Sequence, residues 1–206
     1  MGSAHSAGLD FFKRLCYHES MKLEDVDIRG VVLTTDRLTL RPFEEGDLND
    51  LYDYAKVDGV GECAGWKHHE SIEESKKILD MFITEHRTFA IVFGGKVIGS
   101  VGIEKTGESE YGKEITDKNL YEIRYGLCKD YWGRGLMTEA VKAVIEYMFD
   151  ELGCEIVTCG HFTHNDRSRR VIEKCKFKFY GKSEYTTRYG AKFESKNYIL
   201  RDKGDL

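Results

Sequence analysis

Apolar positions order most of the chain between residues 31 and 201 into alternating runs and runs spaced by three and four. Residues 37–43, Arg-Leu-Thr-Leu-Arg-Pro-Phe, alternate apolar and polar side chains and predict a first strand ended by Pro42, the only proline. Leu48, Leu51, Tyr52 and Ala55 predict a helix over 47–57. Ser71-Ile-Glu-Glu74 has the spelling of a capping box, and Ile78, Leu79, Phe82 and Ile83 continue one helical face behind it. Residues 88–93 and 96–104 predict two strands joined at Gly94-Gly95, a hairpin signal because both residues take positive φ at little cost. A charged loop over 105–118 and a strand over 120–127 follow. The clearest helix begins after Gly135, where Met137, Ala140, Val141, Val144, Ile145, Met148 and Phe149 form one stripe that Leu152-Gly153 ends. A strand over 156–161, a helix over 165–175 capped by Asn165 and Asp166, and strands over 177–187 and 193–201 turning near Tyr189-Gly190 complete the order. This is an α/β chain with a mixed sheet. A weaker amphipathic pattern runs over 9–23; residues 1–30 read as an N-terminal extension, and 31–206 as one domain.

Composition narrows the classes. A chain of 206 residues with 41% hydrophobic and 33% charged side chains suits a single folded domain, not a disordered tail. No apolar run approaches the roughly 20 residues that cross a bilayer, and residues 1–8 lack the basic start and apolar core of a secretion signal. A formal charge of −5 argues against nonspecific nucleic-acid binding, while leaving room for a local basic pocket. The six cysteines form no C-x-x-C pair and several lie in apolar patterns, as expected of reduced thiols in a cytoplasmic protein.

The chemistry concentrates between the strand over 120–127 and the strongest helix, in Tyr131-Trp-Gly-Arg-Gly-Leu-Met-Thr-Glu139. Glycines at alternate positions let backbone N–H groups turn inward, and the helix N-terminus adds partial positive charge; such a nest binds phosphate or pyrophosphate. An ordinary strand-to-helix turn would use the same glycines for φ and ψ alone. The Walker spelling G-x-x-x-x-G-K-[ST] is absent, and a dinucleotide fingerprint would need a small residue where Thr138 stands.

Residues 131–140 resemble the acetyl-CoA loop of the GNAT superfamily of N-acetyltransferases, [Q/R]-x-x-G-x-[G/A]. They are closest to the branch with ribosomal-protein N-terminal acetyltransferases, where Y-W-G-x-G-x-x-T-E-A is typical. Trp132 replaces the usual Gln or Arg, and Met137 a small residue. Arg37-Leu-Thr-Leu-Arg-Pro42 resembles the opening strand of that branch. Asn165-Asp-Arg-Ser168, Val171-Ile-Glu-Lys174 and Phe177 resemble its N-x-x-S-x-x-V-x-E-K-x-G-F segment. Lys176 departs from the glycine expected at the helix exit, so either it takes a left-handed conformation at about 1 kcal/mol or the exit differs.

The resemblance implies a GNAT-like acyl-CoA N-acyltransferase fold, a central, mostly antiparallel sheet with flanking helices. It implies acetyl-CoA as cosubstrate, held by Leu127, Cys128, Trp132, Gly133, Arg134, Gly135, Met137, Thr138, Asn165 and Ser168. Acetyl would pass by direct attack of a primary amine, either a protein N-terminus or a small amine. A non-catalytic acyl-CoA-binding or sensing module is the alternative.

Such a transfer needs a neutral amine, a stabilised carbonyl oxygen and a leaving thiolate. Glu122 is the best candidate base, on a strand whose Ile123, Tyr125 and Leu127 face the other way, and the resemblance implies a catalytic or substrate-orienting carboxylate there; the plain alternative is a solvated strand acid or an ion pair with Arg124. The resemblance implies that backbone N–H groups around Leu127 and Cys128 polarise the thioester carbonyl. Ile172 stands where many members carry a proton-donating tyrosine, leaving Tyr125, Cys159, His161 or water. Arg134, Arg167, Arg169 and Arg170 are candidates for the cofactor's phosphates, one or two of them engaging. Cys159-x-His161-x-x-His164 fits no common zinc spacing, so no metal is expected. Trp66-Lys-His68-His69 falls in the region that lines the acceptor pocket in the resembled family, where a substrate contact and a surface loop are both open readings. Apolar residues on the last strands would permit a homodimer.

Overall fold

The computed structural model describes residues 26–105, Tyr111, Ile115, 119–187 and 189–205. The amphipathic pattern over 9–23 and most of the charged loop lie outside the described residues. The elements are β1 (Leu33–Thr34), β2 (Thr39–Pro42), α1 (Leu48–Ala55), α2 (Ile72–Glu85), β3 (Thr88–Phe93), β4 (Lys96–Lys105), β5 (Leu120–Leu127), α3 (Leu136–Asp150), β6 (Ile156–Phe162), α4 (Asp166–Lys174), β7 (Lys178–Thr186) and β8 (Lys192–Leu200). They match the predicted order, with β1 added; two residues are too few to leave a pattern.

Among the described residues, eight strands form one sheet in the order β1-β2-β3-β4-β5-β6-β8-β7. Every neighbouring pair is antiparallel except β5 and β6. Local chemistry explains the boundaries. The β3–β4 hairpin turns on Gly94 and Gly95 with φ of 59° and 82°. Ser71 Oγ accepts the Glu74 N–H at 3.2 Å, but Glu74 Oε2 takes the Glu70 N–H at 2.9 Å, one residue earlier than a standard box. Asn165 Oδ1 accepts the Ser168 N–H at 3.1 Å and opens α4. At the α4 exit Lys176 does take the left-handed conformation, φ 63°. Its N–H donates to Glu173 O at 3.1 Å and that of Phe177 to Ile172 O at 3.3 Å. This is a Schellman exit, closed by Ile172 and Phe177 packing in the core.

Helices cover both faces of the sheet. The predicted stripe of α3 joins Leu40, Phe89, Ile91, Val101, Ile123 and Ile172 in the larger core. On the other face Leu51, Tyr54 and Ala55 of α1 and Leu79 of α2 pack with Phe43, Ala90 and Val97. Val26 and Ile28 belong to the larger core, and the Ile28 N–H donates to His86 O, so packing starts upstream of Val31.

One irregularity positions the site. β5 and β6 pair only at Leu120↔Ile156, Tyr121↔Val157 and Glu122↔Thr158. Beyond that apex, where the Thr158 hydroxyl donates to Tyr121 O at 3.2 Å, the two strands run on to Leu127 and Phe162 without pairing each other. The sheet is split by a V-shaped opening.

Candidate active site

A cavity of about 420 Å³ occupies this opening and continues under α1 and α2. Its lining joins two chemically different regions. One is the turn into α3, with Trp132, Gly133, Gly135, Leu136, Met137 and Thr138. The other is the α1/α2 face of the sheet, with Glu104, Glu122, Arg124 and Gly126, roofed by Trp66, His69, Ile78, Met81 and Phe82.

The turn has the features of an anion nest. Gly133 and Gly135 have φ of 76° and 78°, which L side chains adopt only at a cost. Gly135 is the N-cap of α3, so the amides of Leu136, Met137 and Thr138 fall in a first turn that has no preceding helical carbonyls to bond. A clamp between distant segments fixes this turn. Glu139 accepts bonds from Thr35 Oγ1 (2.6 Å), the Arg37 N–H (2.9 Å) and Arg37 Nε (2.7 Å), and Arg37 donates through its NH1 to Arg134 O at 3.0 Å. Burial pushes the Glu139 carboxyl up, but these bonds outweigh it and hold the group below its ordinary value. Trp132 braces the turn from the other side: its Nε1–H donates to Leu127 O at 2.8 Å, and Arg167 lies 4.5 Å over its ring.

Along β5, Ile123, Tyr125 and Leu127 pack toward the larger core, while Glu122, Arg124 and Gly126 face α1 and α2. Glu122 is 8% exposed, and its Oε2 accepts from Arg124 Nε at 3.1 Å and NH2 at 2.9 Å. The expected carboxylate is therefore both on the cavity wall and in an ion pair. Arg124 also donates to the Tyr185 hydroxyl at 3.2 Å. Burial disfavours its charge, yet Glu122 and Tyr185 reverse this and raise its pKa. Glu104 stands directly across from Glu122 on β4.

The N–H of Cys128 donates to Ile98 O at 2.8 Å. Successive strand amides point to opposite sides, so that of Leu127 is directed at the opening. Cys128 and Arg134 do not line the cavity, whereas the other predicted residues do. Arg134 lies outside, over the rings of Phe93 (5.0 Å) and Tyr131 (5.3 Å). Arg169 is engaged by Asp166 and Glu173, which leaves Arg167 and Arg170 as the predicted arginines on the cavity. Asn165 and Ser168 are on its wall as well as in the α4 cap, and the Tyr125 hydroxyl is 2.8 Å from Ser168 Oγ. Both nitrogens of His161 are engaged: Nδ1–H donates to Phe162 O at 2.8 Å, leaving Nε2 to accept from the Tyr198 hydroxyl at 3.2 Å.

Residues 59–66 cross the mouth of the opening, which sequence reasoning did not reveal. Asn165 Nδ2 donates to Cys63 O at 3.0 Å. A Cβ at Gly65 would lie 3.1 Å from the Tyr185 ring and 3.5 Å from that of Phe162, so the segment reaches β6 and β7. Only the glycines and Trp66 hint at such close approach in the sequence.

Comparison with known proteins accounts for this arrangement. Residues 37–178 match the family described as the Acetyltransferase (GNAT) domain. The chain belongs to the GNAT acetyltransferase family. It is 27% identical to an N-acetyltransferase of Bacillus subtilis, YoaA, itself described as uncharacterized, over 82% of this chain and 96% of the relative. The ribosomal-protein-S5-alanine acetyltransferase of Vibrio fischeri shares the fold with a TM-score of 0.69 at 18% identity, covering 84% of this chain and 98% of that one. AAC(6')-Ib, solved with ribostamycin and coenzyme A, does so with a TM-score of 0.64 at 22% identity, covering 82% and 95%.

As a GNAT acetyltransferase the chain has the mostly antiparallel sheet with flanking helices that its sequence implied. Among the described residues, no helix is long and apolar enough to cross a membrane. Five described cysteines, Cys63, Cys128, Cys154, Cys159 and Cys175, are free thiols. Burial pushes Cys154 and Cys175 up to about 12 and Cys159 higher still, which suits packing and not nucleophilic attack.

Proposed function

We propose that this acetyltransferase moves acetyl from acetyl-CoA to a primary amine by direct attack, the amine being a protein N-terminus or a small molecule. One observation carries the reading: a single cavity joins the nest at the start of α3 to a carboxylate-bearing sheet face through the gap between β5 and β6. The nest at 133–138 takes the pyrophosphate, and Arg167 and Arg170 add positive charge beside it. The pantetheine arm lies in the V, against Asn165 and Ser168. The Leu127 amide polarises the thioester carbonyl, where a donor in a water-poor site is worth most.

On the sheet face Glu122, held in place by Arg124, orients the incoming amine. Its nitrogen forms the C–N bond to the thioester carbon as the C–S bond breaks. The sulfur departs as a thiolate and takes a proton from Tyr125, which is hydrogen-bonded to Ser168 on the cavity wall, while the proton lost by the nitrogen passes through solvent and restores the phenol. A reducing, cytoplasmic setting is part of this reading, supported by six cysteines that show no disulfide spacing pattern.

Calorimetry with acetyl-CoA, followed by a thiol-release assay with short N-terminal peptides, polyamines and aminoglycosides, tests the reading. Saturable binding together with thiol release that depends on an amine is expected. Absence of saturable binding by folded protein would overturn it, and binding without turnover for any amine would make the chain a sensor.

A further inference from the structure

One polar group on the cavity has no part in the reading above. His69 is 7% exposed, and its backbone N–H donates to Ala55 O at 2.9 Å, which ties it to the end of α1. The hydroxyl of Ser75 on α2, fully buried, lies 2.7 Å from His69 Nδ1 and has no other partner among the described residues. A buried hydroxyl donates to the acceptor within its reach, so Ser75 Oγ–H bonds to Nδ1 and the proton of the neutral ring stands on Nε2. Burial disfavours the charged ring, opposed by Glu74 and reinforced by His68, so the imidazole is neutral at physiological pH. Nε2 has no hydrogen-bond partner among the described residues. Since no buried side-chain nitrogen or oxygen described here lacks a partner, its N–H opens onto the cavity that His69 lines. The ring packs 5.3 Å from Trp66, which reaches within 3.9 Å of where a Cβ of Gly126 would stand on the sheet.

The sheet side of the same cavity carries the complementary charge. Glu104 and Glu122 stand opposite each other on β4 and β5, and like charges so placed repel. Arg124 engages Glu122 through two bonds. Glu104 has one ion pair among the described residues, with Arg87 Nε at 4.0 Å, and Arg87 is held more closely by Glu85 at 2.7 Å. A single cation placed against both carboxylates would relieve their repulsion. Among the described residues these are the only carboxylates on the cavity, whose lining also carries Arg124, Arg167, Arg170 and Lys174. Such a lining suits an acceptor with one positive charge and disfavours a polycation. Between the two sides, Gly102 and Gly126 leave bare backbone beneath Trp66, Ile78, Met81 and Phe82, a slot for an extended chain.

We propose that His69 selects the acceptor: its Nε2–H donates to the first carbonyl oxygen of a peptide N-terminus whose amino group lies at Glu104 and Glu122. In a peptide the α-amino group and this carbonyl are joined through one Cα, so gripping both fixes the direction of the nitrogen. Ser75 is the positioning residue, because its hydroxyl holds the ring in the donating tautomer. A polyamine offers Nε2–H no oxygen, and an aminoglycoside brings more positive charge than the lining matches.

The assignment rests on the acetyl-transfer reading, and the tests separate the two. With acetyl-CoA present, kcat/KM is measured for a short peptide and for the same peptide with its first peptide bond replaced by a trans alkene, which removes the carbonyl oxygen and keeps the geometry. The unmodified enzyme should prefer the peptide by roughly tenfold. His69→Asn keeps an oxygen to accept from Ser75 but withdraws the donor from the cavity. It should erase the preference by slowing the peptide alone, with acetyl-CoA affinity by calorimetry unchanged within about twofold. His69→Gln, whose longer side chain brings an amide N–H to the place of Nε2–H, should restore most of it. An unmodified enzyme without the preference, or a His69→Asn enzyme slowed equally on peptide and alkene, would overturn the proposal alone. Polyamines or aminoglycosides exceeding peptides in kcat/KM would do the same, whereas no thiol release with any amine would overturn the acetyl-transfer reading as well. Nitrogen-15 spectra of the unmodified protein should show the His69 proton on Nε2; finding it on Nδ1 would refute the assignment with no acceptor and no variant.

Discussion

Replacing Lys176 with glycine should stabilise the protein, although the substitution adds no contact. Lys176 is the residue after the α4 cap and has φ of 63°. For an L residue this conformation costs about 1–2 kcal/mol, through crowding of Cβ against its own carbonyl. Glycine escapes that cost but has more freedom to lose on folding, about 0.5–1 kcal/mol. The remainder is about 0.5–1 kcal/mol in favour of Lys176→Gly. Nothing else should change: the two bonds of the exit run through main-chain atoms, and the lysine side chain is exposed. For a chain of this size, that gain corresponds to a rise of roughly 1–4 °C in melting temperature. Urea unfolding should show a higher midpoint with an unchanged slope, since the same surface is exposed. A variant melting at or below the parent temperature would refute the argument, and so would a changed slope. Lys176→Ala is the control; it retains the strained φ and should gain nothing.

Three further outcomes follow from the site. Glu122→Gln should lower turnover by about 100-fold through loss of acceptor orientation, with acetyl-CoA affinity by calorimetry unchanged within twofold. Glu139→Gln should cost about 1–2 kcal/mol at pH 7 and weaken acetyl-CoA binding, since it loosens the clamp on the nest. The folded-state pKa of Glu139 is depressed, so its contribution is present above the unfolded value and disappears as pH falls through the folded one. Melting curves of parent and variant should therefore converge as pH falls through that depressed value; a gap that persists in stronger acid would count against the clamp. Gly99→Ala should destabilise by about 3 kcal/mol, because its Cβ would fall 2.4 Å from Gly126 O on the neighbouring strand. A melting temperature within a degree of the parent would contradict it.

The sequence by itself determined the elements and the donor-side machinery, because both are local. Period-two and period-3.6 patterns report which face of a strand or helix is buried. The Gly94-Gly95 turn, the Asn165 cap and the glycines at 133 and 135 are short-range backbone requirements that leave a spelling. Lys176 was legible only as a choice between strain and a different exit, and the folded chain takes the strained one. The tertiary structure alone decided what depends on residues far apart in the chain. Thr35 and Arg37 meet Glu139 across about a hundred positions, so both motifs were visible but their clamp was not. The parting of β5 from β6, the Cys128 amide spent on Ile98, and the crossing of 59–66 to Tyr185 arise from packing two helical layers on one twisted sheet. The same packing brings His69 to Ser75 and Trp66 at the cavity. Side-chain direction there is set by contacts among α1, α2 and β5, and no run of consecutive residues encodes it.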